Sequence, residues 1–330
     1  KRLKTIQQEK LNNQMAELDV ATSENNIQES IAQVYIQILY AAESVKVNEN
    51  TLQVSIAQRD RGQELLNAGS IAKSDLAQLE AQVSTDRYQL VTAQATLEDY
   101  KLQLKQLLEL DGENEMNIYL PALSDENVLA PLPTKRDVYI SALSLRPEIE
   151  ASKLNVEASE LGINIAKSSY FPTISLSAGI GTNHTSGSDF TFGEQVKNGW
   201  NNSIGLSVSV PIFNNRQTKS AVQKAKLQYE TSMLSLLDEQ KALYKTIESL
   251  WLDANSAQQR YAAANEKLKS TQISYELISE QFNLGMKNTV ELLTEKNNLL
   301  QAQQEQLQAK YMAILNTQLL KFYQGDQLAL

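Results

Sequence analysis

The chain contains no cysteine, which excludes disulfides, thiolate metal sites and cysteine nucleophiles. Its single histidine, His184, stands in a polar stretch with no second ligand of the usual histidine or cysteine kind, which disfavours a metal centre. The five methionines are scattered, which disfavours a copper relay. Breakers are scarce: 6 prolines and 12 glycines in 330 residues call for long uninterrupted elements. Runs of roughly 18 apolar residues are missing, so no transmembrane helix is expected. Net positive charge is missing too, and a formal charge of −9 argues against a nucleic-acid partner. No Gly-rich phosphate loop, HExxH or Gly-x-Ser-x-Gly motif occurs. A Ser/His/Asp site would have to use His184. The expectation is a non-enzyme with no cofactor and no metal.

What is present is mostly helical pattern. Residues 5–66 have no proline and no glycine before Gly62. Ile31, Ile38, Val45 and Leu52 stand seven apart, beside a second row of Ile27, Val34 and Ala41, which makes a coiled-coil type of seam. A straight helix of that length would reach roughly 90 Å at about 1.5 Å per residue. Asn67-Ala68-Gly69-Ser70 then reads as a tight turn, and a second helix follows with Leu76, Val83, Leu90, Leu97 and Leu104 seven apart. Asp111, Gly112, Pro121, Pro131 and Pro133 break the pattern, with a short strand expected around 117–120. Helix returns over 135–169, interrupted at Leu145-Arg146-Pro147, where proline suits a first helical turn. A further long helix runs from about Arg216 to Phe282. It turns at Asn283-Leu284-Gly285 and is followed by a row of Leu293, Leu300, Leu307 and Ile314.

The two hairpins match at a constant offset of 216 residues, without a gap. Ile31 falls on Ile247, Ala41 on Ala257 and Leu52 on Leu268, and the Asn-x-Gly turns coincide. Leucine matches between heptad helices mean little, whereas turns at the same offset point to a tandem duplication. The second copy is preceded by a strand pair and the first, as given, is not. Either the duplication was partial or this chain lacks its N-terminal part, and the second reading, a piece of a longer protomer, is the expectation.

That strand pair lies in residues 172–213. Ile174, Leu176, Ala178 and Ile180 alternate with Ser175, Ser177, Gly179 and Gly181. Ile204, Leu206, Val208, Val210 and Ile212 alternate with Gly205, Ser207, Ser209 and Pro211. Period-2 alternation gives each strand one apolar face and one small or polar face. Strands of about ten residues suit a soluble hairpin and also a tilted crossing of a bilayer. Tyr170, Phe171 and Trp200 sit at strand entries, where aromatic girdles occur. The polar loop 183–198 would be extracellular in the second case. The segments expected are a helical hairpin at 1–109, an irregular segment and helix at 110–171, the β-hairpin at 172–213, a second helical hairpin at 214–322 and a tail at 323–330.

In sequence, the stretch RPEIEASKLNVEASELGINIAKSSYFPTISLSAGIG, the stretch SVSVPIFNNRQTKSAVQKAKL and the two Asn-x-Gly turns resemble the TolC family of outer-membrane efflux and secretion ducts. The resemblance runs through essentially the whole chain. It implies a mainly α fold in which long antiparallel helix hairpins build a periplasmic α-barrel and β-strands build a membrane barrel. It implies a homotrimer in the outer membrane of a Gram-negative bacterium, extending into the periplasm. Its partners would be a periplasmic adaptor (membrane fusion) protein, indirectly an inner-membrane pump, and outer-membrane lipid. The family has four strands per protomer; this chain has two, and lacks the N-terminal acylatable cysteine of some members. Ile174, Leu176, Ile180, Leu206, Val208 and Val210 would face lipid. The rival reading is a soluble coiled-coil scaffold without channel activity.

The resemblance also implies site residues. Glu291 falls where acidic side chains ring the narrow periplasmic end, although Asn288-x-x-Glu291 equally reads as a capping box. The family's next acidic position is Thr294 here, with Glu295 adjacent. Lys287 and Asp75 fall on a basic–acidic pair that locks the tip. Ala68, Gly69, Ser70, Leu284, Gly285 and Met286 fall on adaptor-docking tips, and are also plain helix C-caps.

Overall fold

A computed structural model describes residues 1–110, 118–119 and 128–328. Of the strand expected around 117–120 only residues 118 and 119 are described, in no regular element, and the rest of it with most of the irregular segment around it lies outside the described residues. Helix α1 spans Arg2–Asn67, α2 Lys73–Leu107, α3 Lys135–Leu145 and α4 Pro147–Lys167. Strand β1 is Thr173–Gly181, helix α5 Phe192–Asn198, strand β2 Asn201–Ser209, helix α6 Gln217–Asn283 and helix α7 Thr289–Gln324. Among the described residues no helix is long and apolar enough to cross a membrane. Two compact units result, Lys1–Leu18 with Glu150–Glu239 and Asp19–Ile149 with Gln240–Leu330. Helices α1 and α6 each run through both units. Helix α7 continues to Gln324 and buries Tyr323.

The helix ends explain themselves locally. After α1 the Ser70 N–H donates to Leu65 O and the Gly69 N–H to Leu66 O, with Gly69 at φ 75°. After α6 the Met286 N–H donates to Gln281 O and the Gly285 N–H to Phe282 O, with Gly285 at φ 74°. Both are the double-bonded C-terminal motif in which a left-handed residue satisfies the last carbonyls, and glycine takes that conformation without a Cβ penalty. Within α1, a Cβ on Gly62 would collide with Leu79 of α2, so glycine lets these two helices approach.

The core lies in the second unit. Ile36 and Leu39 of α1 pack with Ala257 and Tyr261 of α6 and with Leu307, Tyr311 and Ile314 of α7. A second cluster sets Val138 and Ala142 of α3 against Leu243, Ile247 and Ala254 of α6 and Leu320 of α7. The heptad rows supply much of this: Ile38, Leu52, Val83, Leu104, Leu307 and Ile314 are buried. The row fades toward its N-terminal end, where Ile27 is 49% exposed.

The first unit holds the ladder. β1 and β2 pair antiparallel, with Ile174 opposite Val208, Leu176 opposite Leu206 and Ala178 opposite Ile204 on one face. Ser175 opposite Ser207, Ser177 opposite Gly205 and Gly179 opposite Ser203 fill the other. Every residue of both strands is exposed. Two details differ from expectation. β2 ends at Ser209, so Val210 lies past the ladder; Pro211, which has no N–H to donate, follows it. The polar loop carries helix α5, because Thr191 and Glu194 close a capping box at its start.

Candidate functional site: the hairpin tips and the groups behind them

The two tips are built alike and surfaced differently. All six tip residues, Ala68, Gly69, Ser70, Leu284, Gly285 and Met286, are exposed. The first tip shows only small side chains, while the second holds Leu284 and Met286 at 75% and 70% exposure.

The helices that leave the tips start differently. At α7 the Asn288 side chain accepts the Glu291 N–H at 2.9 Å, and a Glu291 carboxylate oxygen accepts the Asn288 N–H at 3.2 Å, a complete reciprocal cap. At α2 the Asp75 carboxylate accepts the Ala72 N–H at 3.0 Å, but Ala72 has no side-chain acceptor to return the bond. The α2 start is therefore half a capping box.

The pair expected between Lys287 and Asp75 is not made. Lys287 Nζ instead reaches Glu291 Oε1 at 2.5 Å, one helical turn ahead. A partner four residues away on the same chain can be reached without bringing two hairpins together, and the capping box already holds Glu291 in place. Lys287, and after it the Asn288 N–H, hold the Glu291 carboxyl below the usual carboxylate range. Thr294 is exposed and returns its hydroxyl to Val290 O at 2.8 Å. Glu295 is half-buried and accepts from Ser274 Oγ at 3.0 Å, tying α7 to α6 within one hairpin.

Two groups escaped the sequence reading. The first is Ser55, Asp86 and Lys296. Lys296 Nζ donates to Asp86 Oδ2 and to Ser55 Oγ, and Ser55 Oγ donates to the same Asp86 oxygen. Asp86 Oδ1 takes a further bond from Gln82 Nε2 at 2.9 Å. The side chains of Lys296 and Asp86 are 3% and 2% exposed. Burial pushes the Lys296 ammonium below the usual lysine range, with Asp86 opposing. A signal existed: Lys296 lies between Leu292 and Leu299 on the apolar row of α7, and Asp86 between Val83 and Leu90 on that of α2.

The second is centred on buried Arg146. Its guanidinium bonds Glu148 at 2.8 Å and Glu29 at 3.2 Å, and stacks 4.3 Å from the Tyr323 ring centre. Burial raises the Glu29 carboxyl against the pull of Arg146, and burial also pushes the Tyr323 hydroxyl up to about 12. The Arg-Pro-Glu motif thus ties α1, the start of α4 and the end of α7. His184 Nδ1 pairs with Gln195 Oε1 at 3.1 Å. Among the described residues no group of three or more His, Asp or Glu is placed to hold a metal.

The arrangement is one of long helices paired at exposed tips, the first small-sided and the second apolar, with a strand ladder whose apolar face is left open. The family model described as outer membrane efflux protein matches residues 138–325, and the chain belongs to that family. It is 24% identical over 294 residues to the outer membrane efflux protein BepC of Brucella suis biovar 1, covering 88% of this chain and 61% of BepC. It is likewise 24% identical over 294 residues to the outer membrane protein TolC of Escherichia coli K12, covering 86% of this chain and 58% of TolC. The chain thus spans about three fifths of the length of these curated relatives. The solved outer-membrane channel OprN superposes with a TM-score of 0.80 at 19% identity, over 97% of this chain and 70% of OprN, which shows the same fold.

Proposed function

We propose that this chain is a protomer of a passive, trimeric outer-membrane exit duct that serves a tripartite efflux or type I secretion system. The observation that carries the reading is the ladder: Ile174, Leu176, Ile204, Leu206 and Val208 share one face that none of the described residues covers. In water such a face would be an unsatisfied hydrophobic surface; in a bilayer it is the lipid-facing side of a barrel wall, with the serines and glycines toward a wet lumen. Backbone groups on the two outer edges of a two-stranded ladder have no partners inside it, and in hydrocarbon they must be paired, so the ladder calls for neighbours in a closed barrel. Membership of the outer membrane efflux protein family supports the same reading.

In this reading the long hairpins form the periplasmic conduit. The exposed tips at Ala68-Gly69-Ser70 and Leu284-Gly285-Met286 meet a periplasmic adaptor, which links the duct indirectly to an inner-membrane pump. Glu291, three times around the axis, favours cations at the aperture. The intrachain Lys287–Glu291 pair tempers that charge, and Thr294 and Glu295 lie one turn further in. Opening is a shift of the second hairpin between two packings, biased by adaptor binding. The duct consumes no energy and carries out no covalent step.

The test is to express the full-length gene in a Gram-negative host lacking its own duct, then measure membrane fractionation, subunit number and bilayer conductance. A detergent-extracted trimer that conducts ions supports the proposal. A protein that stays soluble without detergent overturns it and leaves a coiled-coil scaffold.

A further inference from the structure

The tip-proximal half of the second hairpin must be held by contacts that cross between hairpins, since contacts within one hairpin travel with it. Glu295 with Ser274, and Lys267 with Glu305 at 2.7 Å, join α7 to α6 and so do not oppose movement of that hairpin as a body. The half-buried Lys287–Glu291 pair is confined to a single turn. The buried group is different. Lys296 belongs to α7, whereas Ser55 and Asp86 belong to α1 and α2. Gln82 stands beside it and reaches Asn297 at 3.4 Å, and Gln58 of α1 donates to the Tyr275 hydroxyl of α6 at 2.9 Å.

From this arrangement we infer that Lys296, Asp86 and Ser55 form the clasp that keeps the second hairpin against the first in the closed duct, so that opening requires this ion pair to part. The inference rests on the duct reading above. Its physical basis is desolvation. An exposed pair exchanges one watery environment for another when it separates, and contributes little. An ion pair removed from water and tied with Ser55 by three hydrogen bonds has no partial exit, because a small displacement strands Lys296 in the apolar row of α7 and Asp86 in that of α2. The clasp therefore behaves as a threshold rather than a spring. Lys296 lies about two helical turns into α7 from its first residue, close enough to the tip for an adaptor seated there to pry against it.

The experiment is conductance of the full-length trimer in planar bilayers, with trimer content measured alongside. Lys296→Met leaves the Asp86 carboxylate buried without its cation, and mean conductance is expected to rise roughly tenfold or more. Ser55→Ala removes a hydrogen bond without stranding a charge, and is expected to raise conductance a few-fold at unchanged trimer content. Lys296→Met combined with Asp86→Leu replaces the pair by apolar groups and is expected to return to the closed level. Wild-type conductance in Lys296→Met, or in Ser55→Ala should the first variant fail to assemble, overturns the clasp and leaves the duct intact. A wild-type protein that forms no pore overturns the duct reading and the clasp with it.

Discussion

The strand ladder and the helical core treat the same kinds of residue in opposite ways. In the core, Ile36, Leu39 and Ile247 are closed off by side chains from other helices of the same chain. In the ladder, Leu176 and Ile204 stand at 74% and 85% exposure although their neighbours across the sheet are equally apolar. Pairing two strands satisfies backbone groups but covers neither face, whereas pairing helix hairpins covers one side of each. The helical unit thus buries a core of its own, whereas the ladder leaves its apolar face exposed among the described residues.

The contrast is broken most forcefully by charge on the ladder. Leu176→Lys together with Leu206→Lys should abolish membrane insertion of the full-length protein, since each lysine costs about 2–4 kcal/mol near the bilayer midplane. Ser175→Lys on the opposite face should leave insertion intact, and membrane-fractionated trimer reads both. Equal tolerance of the two faces would remove the lipid assignment. In the core, Ile38→Ala, at a residue with no exposure, should cost about 2–5 kcal/mol and lower the temperature at which helical circular dichroism is lost.

The tips sharpen a finer comparison, between the hairpins themselves. Gly69→Ala and Gly285→Ala put a side chain at φ 75° and 74°, with open space around each. Each should lose about 1–2 kcal/mol through backbone strain alone. Gly285→Ala, beside the two exposed apolar side chains, should also weaken adaptor binding in a pull-down more than Gly69→Ala does. The smallest effect is expected from pH. The Glu291 carboxyl is held below its reference value of 4.5, so it stays ionised as pH falls through that value and is neutralised only below its own depressed range. Cation selectivity, read as a reversal potential, should therefore survive mild acid and disappear at lower pH. Its stabilising contribution to the α7 cap follows the same course, and Lys287→Gln should move the loss to higher pH.

Much of the fold was legible because its determinants are local. The absence of proline and glycine from 5–61, the Asn-x-Gly turns and the period of two around Leu176 each act within a few residues. The Thr191-x-x-Glu194 box was equally local and was passed over inside a polar loop. Val210 continued the alternation, but strand length is set by which backbone groups can pair, and Pro211 cannot donate. The candidate site was less legible. Lys287 has two carboxylates to choose from, and sequence does not say whether a helical neighbour or a distant residue is closer. The Lys296–Asp86 pair was visible only as two misfits, a cation and an anion each standing on an apolar row. That they meet depends on the register between hairpins, which no single helix encodes.

The unpaired outer edges of β1 and β2 have a kinetic consequence. In the duct reading, a wall segment with two open sides cannot finish its hydrogen bonding alone, so insertion into the bilayer and pairing with further strands would proceed together. The yield of assembled protein should then fall faster than expression level when subunits are dilute, and stalled protomers should gather wherever stray strands can add to those edges.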